Sequence, residues 1–180
     1  MPPEPTAQIE LLRACQQVFD QAGLQTALLP PEGDTPYTAL VVRLPGVGER
    51  EAVIDLQLNY LPFGPEVAAA GTHVLQLYAE LSTAIPREAS PELIALINHL
   101  NGQLPLGAFA LFPGDGILFW KYTRYQGEGD REQELRLLDQ QAGLVLHLLQ
   151  VCTDALLGVA SGEITAEEAL EAMPVDLLPA

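Results

Sequence analysis

Gly107-Ala-Phe-Ala-Leu-Phe112-Pro-Gly-Asp-Gly116-Ile-Leu-Phe-Trp-Lys-Tyr-Thr-Arg124 sets two apolar runs on either side of a four-residue turn composition. Aromatic and aliphatic residues suit strands, and Pro113, Gly114, Asp115 and Gly116 carry turn chemistry. The stretch reads as a β-hairpin folded about Gly114 and Asp115. That fold sets Phe112 against Ile117, Leu111 against Leu118, Ala110 against Phe119 and Phe109 against Trp120. Ala110, Phe112, Ile117 and Phe119 then share a face too apolar for water unless another chain or a helix covers it. They form the candidate dimer interface; burial under the first or the long helix of the same subunit is the competing reading.

Upstream, Ser90-Pro91-Glu92 combines a capping hydroxyl, a first-turn proline and an acid at the positive helix end. It opens a helix with Leu93, Ile94, Ile97 and Leu100 as the expected buried stripe and Gly102 as the stop. Asn98 and Asn101 are neighbours on that helix, expected to bond the helix end and the loop that follows. Before it, residues 37–44, 52–60 and 73–82 alternate as strands. The first two form a hairpin across Pro45–Glu51 that pairs Val42 with Ile54 and Leu40 with Leu56. That register places Thr38, Leu40, Val42, Leu44, Ala52, Ile54, Leu56 and Leu58 on one face. Tyr37, Val41, Arg43, Asp55, Gln57 and Asn59 take the other. The third strand adds Gln76, Tyr78 and Glu80 to its own polar side. Leu24–Leu29 is a possible further short strand, and Pro30, Pro31, Gly33, Asp34 and Pro36 mark a loop.

The first helix spans about 5 to 22, with Ile9, Leu12, Cys15 and Phe19 at helical spacing and Gly23 after it. Downstream, Asp130 opens a long helix with the stripe Leu135, Leu138, Ala142, Val145, Leu149 and Cys152, reaching about Val159. Thr165-Ala166-Glu167-Glu168 is a capping box for a last short helix. The reading is an α+β fold, an antiparallel sheet packed with helices in two layers, in the order α-β-β-β-α-β-β-α. Residues 1–160 form one domain, and 161–180 form an acidic extension with five acids and no base.

Charge excludes several classes of partner. The 180 residues carry 24 acids against 8 bases, a formal net charge of -16, with Lys121 the one lysine. A polyanion ligand needs clustered Lys and Arg, and the seven arginines form no cluster, so nucleic acid and anionic lipid are disfavoured. No window approaches about 20 continuous apolar residues, and Met1–Thr6 has no basic leader, so no membrane span or secretion signal is expected. The expected compartment is the cytoplasm. Cys15 and Cys152 lack any C-x-x-C spacing and read as reduced core residues.

The chain foreshadows no reaction centre. Gly158-Val-Ala-Ser161-Gly162 sets its serine one residue late for a nucleophile elbow. Cys152 and His147 point from different helix faces. His73, His99 and His147 are scattered, so no metal site is expected, and Glu167 with Glu171 reads as a solvated face. Gly46-Val47-Gly48 lies at a hairpin tip, not where a strand enters a phosphate-binding helix. No cofactor is expected.

The run Pro91-Glu-Leu-Ile-Ala-Leu-Ile97-Asn98-His-Leu-Asn101-Gly-Gln-Leu-Pro105-Leu-Gly107-Ala-Phe109, followed by Gly114-Asp115-Gly116 and an aromatic strand, resembles the YbjN family of bacterial proteins. Members are described as sensory transduction regulators. The shared elements are an Ile-Asn-x-x-Asn helix end, a Leu-Pro-x-Gly-x-Phe start to a strand, and a long helix after the hairpin. The resemblance implies a fold similar to the type III secretion chaperones, small acidic proteins, often dimeric, that hold an extended partner segment. It carries over no catalytic residue.

The functional expectation is a non-catalytic, homodimeric protein-binding module, chaperone-like or regulatory, and not an enzyme. Its partner contacts are expected on sheet edges and on the open face around Arg43, Asp55, Gln57, Gln76 and Tyr78, because extended segments bind sheets by strand addition. The alternatives are a small-ligand receptor or enzyme with a pocket between sheet and helix, and a structural subunit of a larger complex.

Overall fold

Leu11, Leu12, Cys15 and Phe19 recur on one side of Thr6–Gln21, and burying that stripe is what holds helix α1. The computed structural model describes residues 6–33, 35–62, 73–82, 85–112, 114–126 and 130–174. The chain forms two compact units, Met1–Leu44 with Asp55–Tyr78 and Thr123–Gly143, and Pro45–Ile54 with Ala79–Tyr122 and Leu144–Ala180. One antiparallel sheet has six strands, β1 (Gln25–Leu29), β2 (Ala39–Val47), β3 (Ala52–Tyr60), β4 (His73–Ser82), β5 (Ala108–Phe112) and β6 (Ile117–Gln126), in the order β1-β2-β3-β4-β6-β5.

In the first unit, α1 ends where Gly23 takes φ 84° and the amides of Gly23 and Leu24 reach back to Asp20 and Phe19, each at 3.0 Å. This is the Schellman pattern of hydrogen bonds, and it turns the chain directly into β1. The expected order therefore needs correction: among the described residues, four strands, not three, precede the helix at 90–101. Gln25-Thr-Ala-Leu-Leu29 shows little hydrophobic alternation because it earns its place as an outer strand through ladder bonds to β2, pairing Gln25 with Arg43 and Ala27 with Val41. The expected inner face is confirmed for Thr38, Leu40, Val42, Leu44, Ile54, Leu56 and Leu58, all buried, while Ala52 is half-buried. Asn59 departs from its expected open face and is also buried.

In the second unit, β2 runs three residues past its expected end. Pro45 and Gly46 are both exposed and Val47 is buried, so the alternation skips a beat at Gly46, whose φ is 68°. An extra residue of this kind is how a bulge re-aims a strand. The turn closes with Glu51 N donating to Gly48 O at 3.3 Å.

A 3-10 turn, Arg87–Ala89, runs straight into helix α2, Ser90–Asn101. Ser90 is thus not the cap: it lies inside the first turn and is buried, and Ala89 occupies the cap position without a side-chain bond. The buried stripe is Leu93, Leu96, Ile97 and Leu100, with Ile94 39% exposed in place of its expected burial. The β5–β6 hairpin has the expected register at all four pairs, Phe112 with Ile117 through Phe109 with Trp120. Gly107 is obligatory beside it, because a Cβ there would sit 2.2 Å from the Trp120 ring and its φ is 68°.

Helix α3, Arg131–Ser161, begins at Asp130, whose carboxylate accepts from the Glu132 amide at 3.1 Å. Leu138, Ala142, Val145, Leu149 and Cys152 are buried as expected, and Leu135 is half-buried. By length and composition α3 could cross a membrane, and half of its most apolar window is buried in the fold. Helix α4, Ala166–Ala172, carries the expected capping box, with Thr165 and Glu168 bonding each other's backbone amides. It packs on α2, where Glu92 Oε2 accepts from the Ala166 amide at 3.2 Å.

Candidate protein-binding surfaces

The open sheet face of the first unit gathers part of the expected partner site. Arg43 on β2 and Asp55 on β3 form a forked pair, Nε to Oδ1 at 3.1 Å and Nη2 to Oδ2 at 3.3 Å. Their side chains are 55% and 42% exposed, so solvent screening holds the pair to about 0.2–1 kcal/mol. A pair this weak is easily re-partnered by an incoming charge. Gln57, Gln76 and Tyr78 are half-buried on their strands, and Tyr78 already has an interaction of its own.

The strand order brings a neighbour that sequence alone leaves open. β1 lies at the end of the sheet, and a shallow groove of about 270 Å³ runs between it and the ion pair, lined by Gln25, Thr26, Ala27, Val41, Arg43 and Asp55. Gln25, Ala27 and Leu29 are exposed along that strand. From Ala14 to Val42 the chain carries Asp20, Glu32 and Asp34 and no basic residue. The groove is an outer strand beside a run of one charge sign.

At the opposite end of the sheet, in the second unit, one residue of β5 is sealed. Asn101 at the end of α2 donates Nδ2–H to the Phe109 carbonyl at 2.9 Å and accepts the Phe109 amide on Oδ1 at 2.8 Å. Its side-chain amide thus occupies both main-chain groups that Phe109 on β5 would offer a further strand. Sealing an outer strand in this way suppresses edge-to-edge pairing. Asn101 thus reaches past the helix end and loop it was expected to bond, to a strand residue, and Asn98 is exposed.

Of the four candidate dimer residues, Phe112 is 51% exposed and Phe119 is 5% exposed. Their rings stack at 4.6 Å and 25°, so Phe112 covers part of Phe119 within one chain. Ala110 and Ile117 are half-buried. What faces outward is one aromatic ring with a partly apolar surround. No protein-family model matches the chain, and neither does a curated protein or a solved structure.

A second polar assembly escaped sequence reasoning altogether. Asp154, midway along α3, accepts the amides of Glu49 at 2.5 Å and Arg50 at 3.2 Å, clamping the β2–β3 turn. Gly48 must be glycine there, since its φ is 72° and a Cβ would meet the Asp154 carboxylate at 2.5 Å. Arg50 then pairs with Glu163 beyond the end of α3, and this partner holds the Glu163 carboxyl below its ordinary range. Residues 105 apart cannot announce such a contact in sequence.

Burial pushes the Cys15 and Cys152 thiols up to about 12, so both stay protonated and unreactive as nucleophiles at neutral pH. Burial likewise raises Tyr60, whose hydroxyl donates to Gln126 Oε1. Among the described residues, no three His, Cys, Asp or Glu side chains converge as metal ligands. His99 shares a hydrogen bond with Gln103 at 2.7 Å, and His73 packs edge-on against Tyr60.

Proposed function

We propose that this protein is a non-catalytic, protein-binding module, chaperone-like or regulatory, that acts as a homodimer in the cytoplasm. It holds an extended segment of a partner as an added strand along β1, with side chains of that segment resting in the groove beside Arg43 and Asp55. The observation that carries the reading is the unequal treatment of the two sheet ends. Asn101 caps the main-chain groups of Phe109 on β5, while β1 keeps exposed side chains beside a groove. Main-chain bonds would supply affinity and the groove selectivity.

Two features add support. The Ile97-Asn98-x-x-Asn101 and Leu104-Pro-x-Gly107-x-Phe109 elements resemble the YbjN family, and Asn101 and Gly107 both have structural duties that explain them. The exposed Phe112 ring offers the dimer contact. The protein's acidity favours a basic segment as partner through long-range attraction.

Crosslinked affinity purification from the native cell, followed by amide exchange on the recovered complex, tests the proposal. A partner that slows exchange at residues 25–29 supports it. A strict monomer by light scattering, with no crosslinked partner, refutes it.

A further inference from the structure

Asn101-Gly102 is the chain's one Asn-Gly pair, and its asparagine is the residue that seals Phe109. Asparagine followed by glycine is prone to a reaction within its own backbone. The Gly102 amide nitrogen gives up its proton and attacks Cγ of Asn101, the Cγ–Nδ2 bond breaks, and ammonia departs from a five-membered imide. Water then opens the imide at either carbonyl. The net change is amide plus water to acid plus ammonia, with aspartate or isoaspartate left at 101. Glycine favours the step because no Cβ crowds the attacking nitrogen.

The fold bars that attack at each atom it needs. Ring closure eclipses Asn101 Cβ with the Gly102 nitrogen about the Cα–C bond. Asn101 instead closes helix α2 with helical backbone, and Gly102 follows at φ -68° and ψ -17°. The Gly102 N–H that must be lost is held by the carbonyls of Asn98 at 3.3 Å and His99 at 3.2 Å. The Gln103 and Leu104 amides both return to the Leu100 carbonyl, at 2.8 and 3.1 Å, and hold the helix end in place. Cγ is fixed from the other side, because Oδ1 accepts the Phe109 amide at 2.8 Å and Nδ2 donates to the Phe109 carbonyl at 2.9 Å. Gly102 is exposed, so water is at hand and conformation is what withholds the reaction.

We propose that Asn101 is a conformation-gated deamidation site: silent while α2 and β5 are joined, reactive when that junction opens, and unable to restore the seal afterwards. The product sets a carboxylate oxygen where Nδ2–H met the Phe109 carbonyl, replacing a donor with a charged acceptor. One excursion thus becomes a permanent mark, and the Phe109 main-chain groups lose their partner. The inference uses no part of β1 or its groove and is independent of the strand-addition reading.

The test follows the full-length protein in mildly alkaline buffer, folded and in urea, by mass spectrometry of the tryptic peptide Glu88–Lys121, which holds both Asn98 and Asn101. The folded chain should lose the Asn101 amide at least about tenfold more slowly than the unfolded chain, with Asn98, followed by histidine, slow in both. Gly107→Ala, which drives a Cβ into the Trp120 ring beside the junction, should raise the folded rate. Should that variant not fold, urea below the unfolding transition should raise the wild-type rate in step with opening. Anion exchange then isolates the deamidated chain by its added negative charge. In light scattering it should form larger species than the unmodified chain, and Asn101→Asp should do the same. Equal rates in folded and unfolded protein, a folded rate that neither Gly107→Ala nor urea moves, or a deamidated chain that associates no more than the unmodified one would each overturn the inference.

Discussion

Replacing Asn101 with alanine isolates the contact that seals Phe109 on β5. The side chain gives two hydrogen bonds to one residue, at 2.9 and 2.8 Å, and Phe109 itself is 1% exposed. At a net contribution of about 1 kcal/mol each, their loss costs about 2 kcal/mol, rising towards 3 if water cannot reach the abandoned Phe109 groups. For a chain of this size, about 2 kcal/mol lowers Tm by roughly 4–8 °C. Urea unfolding at fixed pH reads the change as a shift in midpoint with an unchanged slope. Asn98→Ala, three residues earlier and exposed, is the internal control and should move stability by less than about 0.5 kcal/mol. A second readout comes from function: opening the Phe109 groups should make the variant self-associate with rising concentration, seen by light scattering. If Asn101→Ala and Asn98→Ala are equally mild, or the slope alone changes, the amide is not a seal and the reasoning fails.

Three further outcomes follow from the same geometry. Gly48→Ala should destabilise by about 2–4 kcal/mol, combining left-handed backbone strain with displacement of Asp154 from the Glu49 and Arg50 amides. In an Asp154→Ala background that cost should fall by about half, because the collision has gone, and strict additivity in a double-mutant cycle would contradict the clamp. Phe112→Asp should weaken the proposed dimer at least about tenfold in sedimentation experiments while costing under about 1.5 kcal/mol of monomer stability, since the ring is half in solvent and loses one stacked partner. With both thiols raised to about 12 by burial, a thiol reagent at pH 8 should label neither cysteine of the native protein in the time that urea-unfolded protein reacts completely; fast labelling of Cys15 or Cys152 would show that the core opens there.

Local chemistry in the sequence determined the elements that depend on neighbours. The turn composition at 113–116 and the apolar runs flanking it fixed all four cross-strand pairs of the last hairpin, because a short loop leaves few registers that bury Phe109, Leu118 and Trp120 together. The capping box at Thr165 and the long stripe from Leu138 to Cys152 were legible for the same reason. β1 was only half legible, since its five residues carry no clear alternation and are ordered by bonds to a strand whose identity the sequence does not state. Ser90 failed as a cap because the preceding residues already wind into the helix, a conformational fact with no composition signal.

Tertiary structure alone decided the surfaces. Asn101 and Asn98 are the same residue type three positions apart, yet only packing against β5 makes one of them a seal. Arg43 and Asp55 share a face by parity, but the groove beside them exists because β1 comes to rest next to β2. Asp154 and Gly48 meet across more than a hundred residues. Sequence periodicity encodes which side of an element is apolar; which element arrives against that side is a long-range choice, and binding surfaces are made where those arrivals stop short of filling space.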